Sequence, residues 1–147
     1  MELLEASVIQ LKTIPSMAIR VARIMELEEA YNSKVPPAPY AYVLLLAETP
    51  TKNETITIVE QRVSVALGVV LCINNKVTPL GIKSFAEQSD LQTIRGLIRA
   101  KLLGWAPADA GMYYGPFEFG GGRLVQVKND KLWWQDQYTT ECFVRSV

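Results

Sequence analysis

Histidine is absent from this chain of 147 residues, so the commonest general base and a frequent metal ligand are missing. Nucleophile systems that pair serine or cysteine with histidine are therefore excluded. Only two cysteines occur, Cys72 and Cys142, far apart and in apolar, strand-like runs. They lack paired zinc-ligand spacing, so we interpret them as buried thiols. The sequence predicts no metal and no cofactor.

An excess of either charge is also absent, because fifteen basic residues balance fifteen acidic ones. A neutral chain gives no support for general binding to nucleic acid or to a membrane surface, although it suits self-association. The apolar runs, such as 42–47 and 63–73, are far shorter than the roughly 18–20 residues of a membrane helix. The acidic start, Met1-Glu2, does not resemble a signal peptide. We therefore expect a cytoplasmic protein without a membrane partner.

No internal repeat or low-complexity tract divides the chain, and its length fits a single domain over residues 1–147. Helical spacing predicts a short helix over residues 2–13, stopped by Pro15. Residues 18–24 are predicted to be a short strand, because they alternate, or else an irregular segment, and residues 25–31 favour helix by propensity.

A β-hairpin is predicted in the middle of the chain, with strands over 40–47 and 56–73 and a polar loop over 49–55. In the second strand, apolar side chains occupy one face and mostly small ones the other. The apolar face consists of Val63, Val65, Leu67, Val69, Leu71 and Ile73. The small residues suggest that the other face also lies against something.

A longer helix is predicted over residues 91–103, with Asp90 as its N-cap and Gly104 and Pro107 ending it. Its apolar stripe consists of Leu91, Ile94, Leu97, Ile98 and Leu102. The glycine-rich and aromatic segment 106–122 is predicted to be a loop.

The last part of the chain predicts a second hairpin, with strands over 123–127 and 131–138 and a turn at 128–130. Residues 139–147 continue the second strand. Strands joined by short turns beside one long helix indicate an α+β domain. Its sheet is antiparallel or mixed, with helices packed on one face.

Carboxylates are the remaining candidates for catalysis, and Asp136 would have Glu118 or Glu141 as its partner. Asp136 shares a strand face with Trp134, and an acid in that place more often pairs with an arginine. The run Gly120-Gly121-Gly122 resembles a phosphate cradle only superficially, since it leads into a strand and not a helix. We interpret it as a tight turn that needs positive φ.

The neighbours Trp133 and Trp134 must point to opposite faces of their strand. One indole fills the core, and the other is either an exposed interface anchor or covered by the same chain. Arg95 and Arg99 are adjacent on the long helix, where they form a solvated face or contact a partner.

Three motifs stand out in the last third of the chain. They are Leu102-Leu103-Gly104-Trp105-Ala106-Pro107, Gly121-Gly122-Arg123-Leu124, and Leu132-Trp133-Trp134-Gln135-Asp136 followed by Thr139-Thr140. Together they resemble the tail terminator proteins of tailed bacteriophages and prophages. Residues 39–43 and 61–63 resemble the first hairpin of that family. The stretch 106–119 matches no motif of the family.

The resemblance implies a non-enzymatic, lambda-type virion assembly protein that forms a homo-oligomeric ring, expected to be a hexamer. The ring caps the tail tube and joins it to the head, so its partners are itself, tail-tube proteins and head-completion proteins. The resemblance implies assembly in the bacterial cytoplasm and, if the gene belongs to an intact phage and not to a prophage relic, a place in the tail of the virion.

Seven residues are candidates for contacts in such a ring. Trp133, Trp134, Tyr138, Tyr113 and Tyr114 are candidates for the interface between subunits or with a partner. Arg95 and Arg99 are candidates for a lumen through which DNA passes, with non-specific contacts.

Two alternatives remain at this stage. The first is a module that binds a small molecule or a peptide through the 111–122 loop, which predicts a concave apolar pocket there. The second is a carboxylate hydrolase built on Asp136.

Overall fold

Five strands and two helices make up the described part of the chain in the computed structural model. The structure describes residues 2–15, 20–25, 28, 39–74, 85–107, 113–128 and 130–146. The helices are α1 (Leu3–Leu11) and α2 (Phe85–Leu102). The strands are β1 (Arg20–Arg23), β2 (Tyr40–Pro50), β3 (Glu60–Asn74), β4 (Glu118–Lys128) and β5 (Lys131–Arg145).

The strands form one mixed sheet in the order β1-β2-β3-β5-β4. β1 pairs in parallel with β2, and the other neighbours are antiparallel. The central pair is the longest, since β3 and β5 run in continuous register from Glu60 opposite Arg145 to Asn74 opposite Lys131. Both predicted hairpins are present, and the predicted α+β class with helices on one face is confirmed.

The helices cover one face of the sheet, which we call the helix face. The predicted alternation in β3 is confirmed, because its odd-numbered apolar side chains from Val63 to Ile73 all join the core beneath the helices. From α1, Leu3, Leu4, Val8 and Leu11 reach this core, and from α2, Leu91, Ile94, Ile98 and Leu102 do so. The 3.6-residue period of each helix places these side chains on one stripe.

A second, smaller apolar cluster lies on the opposite face, which we call the open face. Tyr42, Leu44, Val70, Cys72 and Trp133 are buried there together with Ile24. Tyr42 stacks on Tyr40 with ring centroids 4.8 Å apart and on Trp133 at 6.1 Å. The small residues of β3 on this face thus lie partly against other side chains, as their pattern predicted.

The boundaries of α2 differ from the prediction at one end. The helix begins at Phe85, so Asp90 lies inside it and is not its N-cap. Its other end follows the prediction, since Gly104 has a φ of +78° just beyond Leu102. The predicted strand at 18–24 corresponds to β1, whereas most of the predicted helix at 25–31 lies outside the described residues.

The strand boundaries also differ. β2 extends to Pro50 and β3 begins at Glu60, so the connecting loop lies later than predicted. β4 already begins at Glu118, so Gly120, Gly121 and Gly122 lie inside a strand and not in a turn before it. Positive φ is nevertheless present, at +111° in Gly121, where the pairing register with β5 shifts. The extra residue of a β-bulge explains this conformation.

Candidate functional site

Three separate parts of the sequence meet on the helix face near the β4 edge. Asp136 and Trp134 alternate on β5 and therefore point to the same face. Gly122 of β4 lies directly opposite Asp136, and Arg95 reaches both β5 side chains from α2. We call these four residues the Arg95–Asp136 cluster.

The centre of the cluster is a buried ion pair. The Nε of Arg95 donates to Asp136 Oδ2 at 2.9 Å and to Oδ1 at 3.2 Å, and its Nη2 donates to Oδ1 at 2.9 Å. The side chains of Arg95 and Asp136 are only 13% and 1% exposed. Such a fork-like contact fixes both the distance and the orientation of the two groups.

Trp134 completes the coordination of the carboxylate. Its Nε1 donates to Asp136 Oδ1 at 2.9 Å, and the Arg95 guanidinium lies 4.7 Å from the centroid of its ring. The indole therefore supplies both a hydrogen bond and a cation–π contact. Asp136 thus accepts hydrogen bonds from two side chains, which satisfies a charge that would otherwise be costly to bury.

Gly122 allows the cluster to pack against the backbone of β4. A methyl group there would overlap Asp136 Oδ1 and come within 2.9 Å of Trp134 Nε1 and 3.0 Å of Arg95 Nη2. Glycine is required because the carboxylate and its donors occupy the space of a side chain. This close approach links the glycine motif to the tryptophan motif, which the sequence interpretation treated as separate.

A second arginine lies one turn further along α2. The guanidinium of Arg99 lies 4.7 Å from the centroid of Phe119, whose ring packs edge-on against Tyr138. Neither Arg99 Nε nor the Tyr138 hydroxyl has a hydrogen bond of normal geometry among the described residues. Burial, aided by the charge of Asp136, raises the pKa of Tyr138 to about 12, while Arg99 acts in the opposite direction.

The cluster is suited to holding the fold together, since its groups are already engaged with one another. Glu141 and Glu118 do not join Asp136, because Glu141 and the partner of Glu118, Thr139, point to the open face. Glu141 is exposed and lies 3.7 Å from Arg62. The described residues contain no group of acidic and thiol side chains able to hold a metal. The carboxylate pair that the hydrolase interpretation requires is therefore not formed, and Asp136 pairs with an arginine, as its position favoured.

The two predicted lumen residues are both engaged inside the domain. Arg95 is bound to Asp136 and largely buried, and Arg99 lies over Phe119 with its Nε enclosed. A contact between Arg95 and DNA would require breaking its buried ion pair. The position of Arg95 therefore counts against the lumen role that its helical spacing suggested.

The predicted interface aromatics lie in very different environments. Tyr113 is 97% exposed, and Tyr114 packs partly against the core beside Cys142. Tyr138 is completely buried, because it lies under α2 on the inner strand β5. This burial corrects the expectation that Tyr138 presents its ring to a partner.

Neither Trp133 nor Trp134 is an exposed interface anchor, which was one of the two alternatives that the sequence allowed. Trp134 lies on the helix face in the Arg95–Asp136 cluster, and Trp133 lies on the open face but is only 6% exposed. Trp133 is enclosed by the second apolar cluster of its own chain. The alternative in which the same chain covers the second tryptophan is therefore correct.

The glycine segment does not form the apolar pocket expected of a ligand-binding loop. Gly111 and Met112 lie outside the described residues. A shallow depression on β4 is lined by Gly120, Gly121, Gly122, Arg123, Gln135 and Gln137. This lining is polar and contains no aromatic side chain, so it lacks the character that the binding-module interpretation predicts.

None of the described helices is long and apolar enough to cross a membrane.

Comparisons with known proteins extend over nearly the whole chain. A solved structure of the virion of a native gene transfer agent particle contains a chain of similar fold, with a TM-score of 0.57 and 14% identity. The match covers 97% of this chain and 96% of the other. A comparison with curated proteins finds no match. A family model described as phage tail terminator protein matches residues 4–146, and the chain therefore belongs to the phage tail terminator family.

Proposed function

We propose that this protein closes the end of a phage tail tube as a ring of identical subunits, expected to be six, and joins the tube to the head. The observation that carries the proposal is the family match over residues 4–146. Membership supports a structural role in the tail. The similar chain belongs to a virion particle, which agrees with incorporation of this protein into a particle. The proposal includes assembly in the bacterial cytoplasm.

The exposed end of the sheet supports a contact with another tail or head protein. Beyond the helices, the loop between β2 and β3 and the end of β5 present Ile56, Ile58, Val59, Phe143 and Val144. Ion pairs surround these apolar side chains, with Arg145 Nη2 2.7 Å from Glu60 Oε2 and Arg62 near Glu141. Exposed apolar groups with a polar rim are typical of protein interfaces. We assign this surface and Tyr113 to contacts outside the domain.

The ring is tested by measuring the mass of the purified protein. Native mass spectrometry and light scattering over a range of concentrations are expected to show one closed species of about six subunits. A protein that stays monomeric both alone and on isolated tail tubes would contradict the ring.

Capping is tested by electron microscopy of tube assembly. Purified tail-tube protein is allowed to polymerise with and without this chain, and the lengths of the tubes are compared. Addition of the chain is expected to arrest growth and leave density at one tube end. The matched variant replaces Ile56, which is fully exposed, with lysine and is expected to weaken arrest without changing the ring mass. Unchanged tube lengths with the unaltered chain would contradict the capping function.

Arg95 is held by Asp136 and the chain carries no net charge, so neither provides a strong attraction for passing DNA. If DNA passes through the ring, contacts with it are non-specific and depend on salt. Binding of the assembled ring to duplex DNA at low and physiological salt measures this contribution. We expect weak binding that is lost at physiological salt.

A further inference from the structure

We propose that neighbouring subunits are joined edge to edge, with β4 of one copy pairing with the Leu44–Pro50 segment of β2 in the next copy. The proposal rests on the ring of the proposed function and specifies which surfaces form it. It requires two unlike edges of one sheet, each with unpaired backbone and exposed apolar side chains.

The first edge exists because β1 is much shorter than β2. β1 pairs only with Tyr40–Val43, and among the described residues the hydrogen bonds on this side end where Ile24 N donates to Val43 O at 2.9 Å. Beyond Val43, no strand among the described residues covers this side of Leu44–Pro50. Leu45 and Leu46 at this edge are 41% and 36% exposed. Considering the described strands alone, the segment therefore offers unpaired backbone groups together with apolar surface.

The second edge is β4, which ends the strand order on the other side of the sheet. Its eleven residues pair only with β5 among the described strands. Phe119, Leu124 and Val127 are 37%, 50% and 46% exposed on the helix-face side of this strand. A long edge with exposed apolar side chains is a template for adding another strand.

Pairing between unlike edges fits a ring better than pairing between two copies of β4. The two edges lie on opposite sides of the sheet, so each copy would use one edge for each neighbour, as a heterologous interface requires. The net charges of the two edges are opposite in sign. Glu48 is the only charged residue in Leu44–Pro50, whereas β4 carries Arg123 and Lys128 besides Glu118.

Both edges also limit how far such pairing extends. The register of β2 shifts between Leu45 and Ala47, and that of β4 shifts on either side of the Gly121–Leu124 run. Bulges interrupt an edge and restrict it to short regular runs, which opposes unlimited strand addition.

The test uses two variants that each damage one edge, L45K and L124K. A lysine at either exposed position opposes strand addition, and each variant is expected to be monomeric under conditions where the unaltered chain forms rings. When the two are mixed, the intact β4 of L45K can pair with the intact β2 of L124K. The mixture is therefore expected to form heterodimers that grow no further, as measured by native mass spectrometry.

The control I9K adds the same charge at a position that is 47% exposed on α1, outside the sheet, and it is expected to keep the ring. Thermal unfolding must show that all three variants fold. If L45K and L124K both form normal rings, edge pairing is overturned while the ring itself stands. If L124K is monomeric and L45K forms homodimers, β4 pairs with itself and the proposal is wrong. A monomeric unaltered chain, on tubes as well as alone, would contradict the ring and the edge pairing together.

Discussion

Asp136 links β5 to α2 through a buried carboxylate that pairs with Arg95. Its carboxylate is 1% exposed and receives hydrogen bonds from Arg95 and Trp134. Removing the carboxylate charge leaves the Arg95 guanidinium buried without its counter-ion. The size of this free-energy penalty therefore measures how strongly the fold depends on the intact Arg95–Asp136 pair.

The D136N variant is expected to lower the free energy of unfolding by about 3–5 kcal/mol, because the cation remains in place without its partner. Urea denaturation at neutral pH measures the loss. The matched control E141Q affects an exposed carboxylate 3.7 Å from Arg62 and is expected to change stability by less than about 1 kcal/mol. Equal effects of the two substitutions would show that burial of the Arg95–Asp136 pair is unimportant.

Tyr138 gives the chain a specific response to alkaline pH. Its folded-state pKa is raised from 10.0 to about 12, so the unfolded chain loses this proton first as pH rises. Stability associated with the neutral phenol is complete below pH 10 and is lost between pH 10 and 12. The Y138F variant is expected to change stability at pH 7 by no more than about 1 kcal/mol, because the hydroxyl lacks a well-formed hydrogen bond.

Between pH 10 and 12, Y138F should lose less stability than the unaltered chain, by about 1–3 kcal/mol. Denaturant midpoints measured across this range, with Y113F as the exposed control, check the difference. Parallel loss of stability in the unaltered chain and both variants would mean that Tyr138 titrates normally.

At the scale of secondary-structure elements, glycine has opposite consequences in β4 and α2. Gly122 lies where the backbone of β4 approaches the Arg95–Asp136 cluster, whereas an added methyl group at Gly96 of α2 would meet nothing within 4 Å. The same substitution therefore separates a glycine required by packing from one that only weakens a helix.

The G122A variant is expected to destabilise the protein by about 1–3 kcal/mol through overpacking. In contrast, G96A is expected to stabilise it by about 0.4–1 kcal/mol, because alanine restricts the unfolded chain and favours the helix. Thermal and urea unfolding of both variants measure these effects. If G122A and G96A changed the free energy of unfolding equally, the backbone of β4 could move away from β5 without a cost in stability.

At the scale of the whole molecule, the two cysteines report on whether the described sheet behaves as one unit. Cys72 lies in the cluster of the open face and Cys142 in the core of the helix face. Both are free and buried, and burial raises the pKa of both thiols, that of Cys72 to about 11. Reaction of either thiol at neutral pH therefore requires opening of the structure.

Labelling of Cys72 and Cys142 with a thiol reagent at pH 7 is expected to be slow in the native protein. As denaturant is added, both should react with the same dependence on denaturant if residues 1–147 unfold as a single domain. Mass spectrometry of the labelled peptides distinguishes the two sites. The exposed control Y113C is expected to react at once, and early reaction of only Cys72 or Cys142 would contradict a single unit.

Periodicity in the sequence predicted the main architecture because strong alternation leaves few ways to bury apolar side chains. The odd-numbered residues from Val63 to Ile73 required one buried face, and the stripe through Leu91, Ile94 and Ile98 required a helix above it. Element ends were less predictable. Asp90 resembled an N-cap, but nothing local to it indicated that the helix begins at Phe85.

Local periodicity and short motifs were enough to predict the α+β class, the two hairpins, the helix stop at Gly104 and the family resemblance. The place of each tryptophan and the meeting of Arg95, Gly122 and Asp136 depend instead on how distant parts of the chain pack together. Strand order and register create those contacts between residues distant in the chain. The same order leaves β4 and Leu44–Pro50 at opposite edges of the sheet.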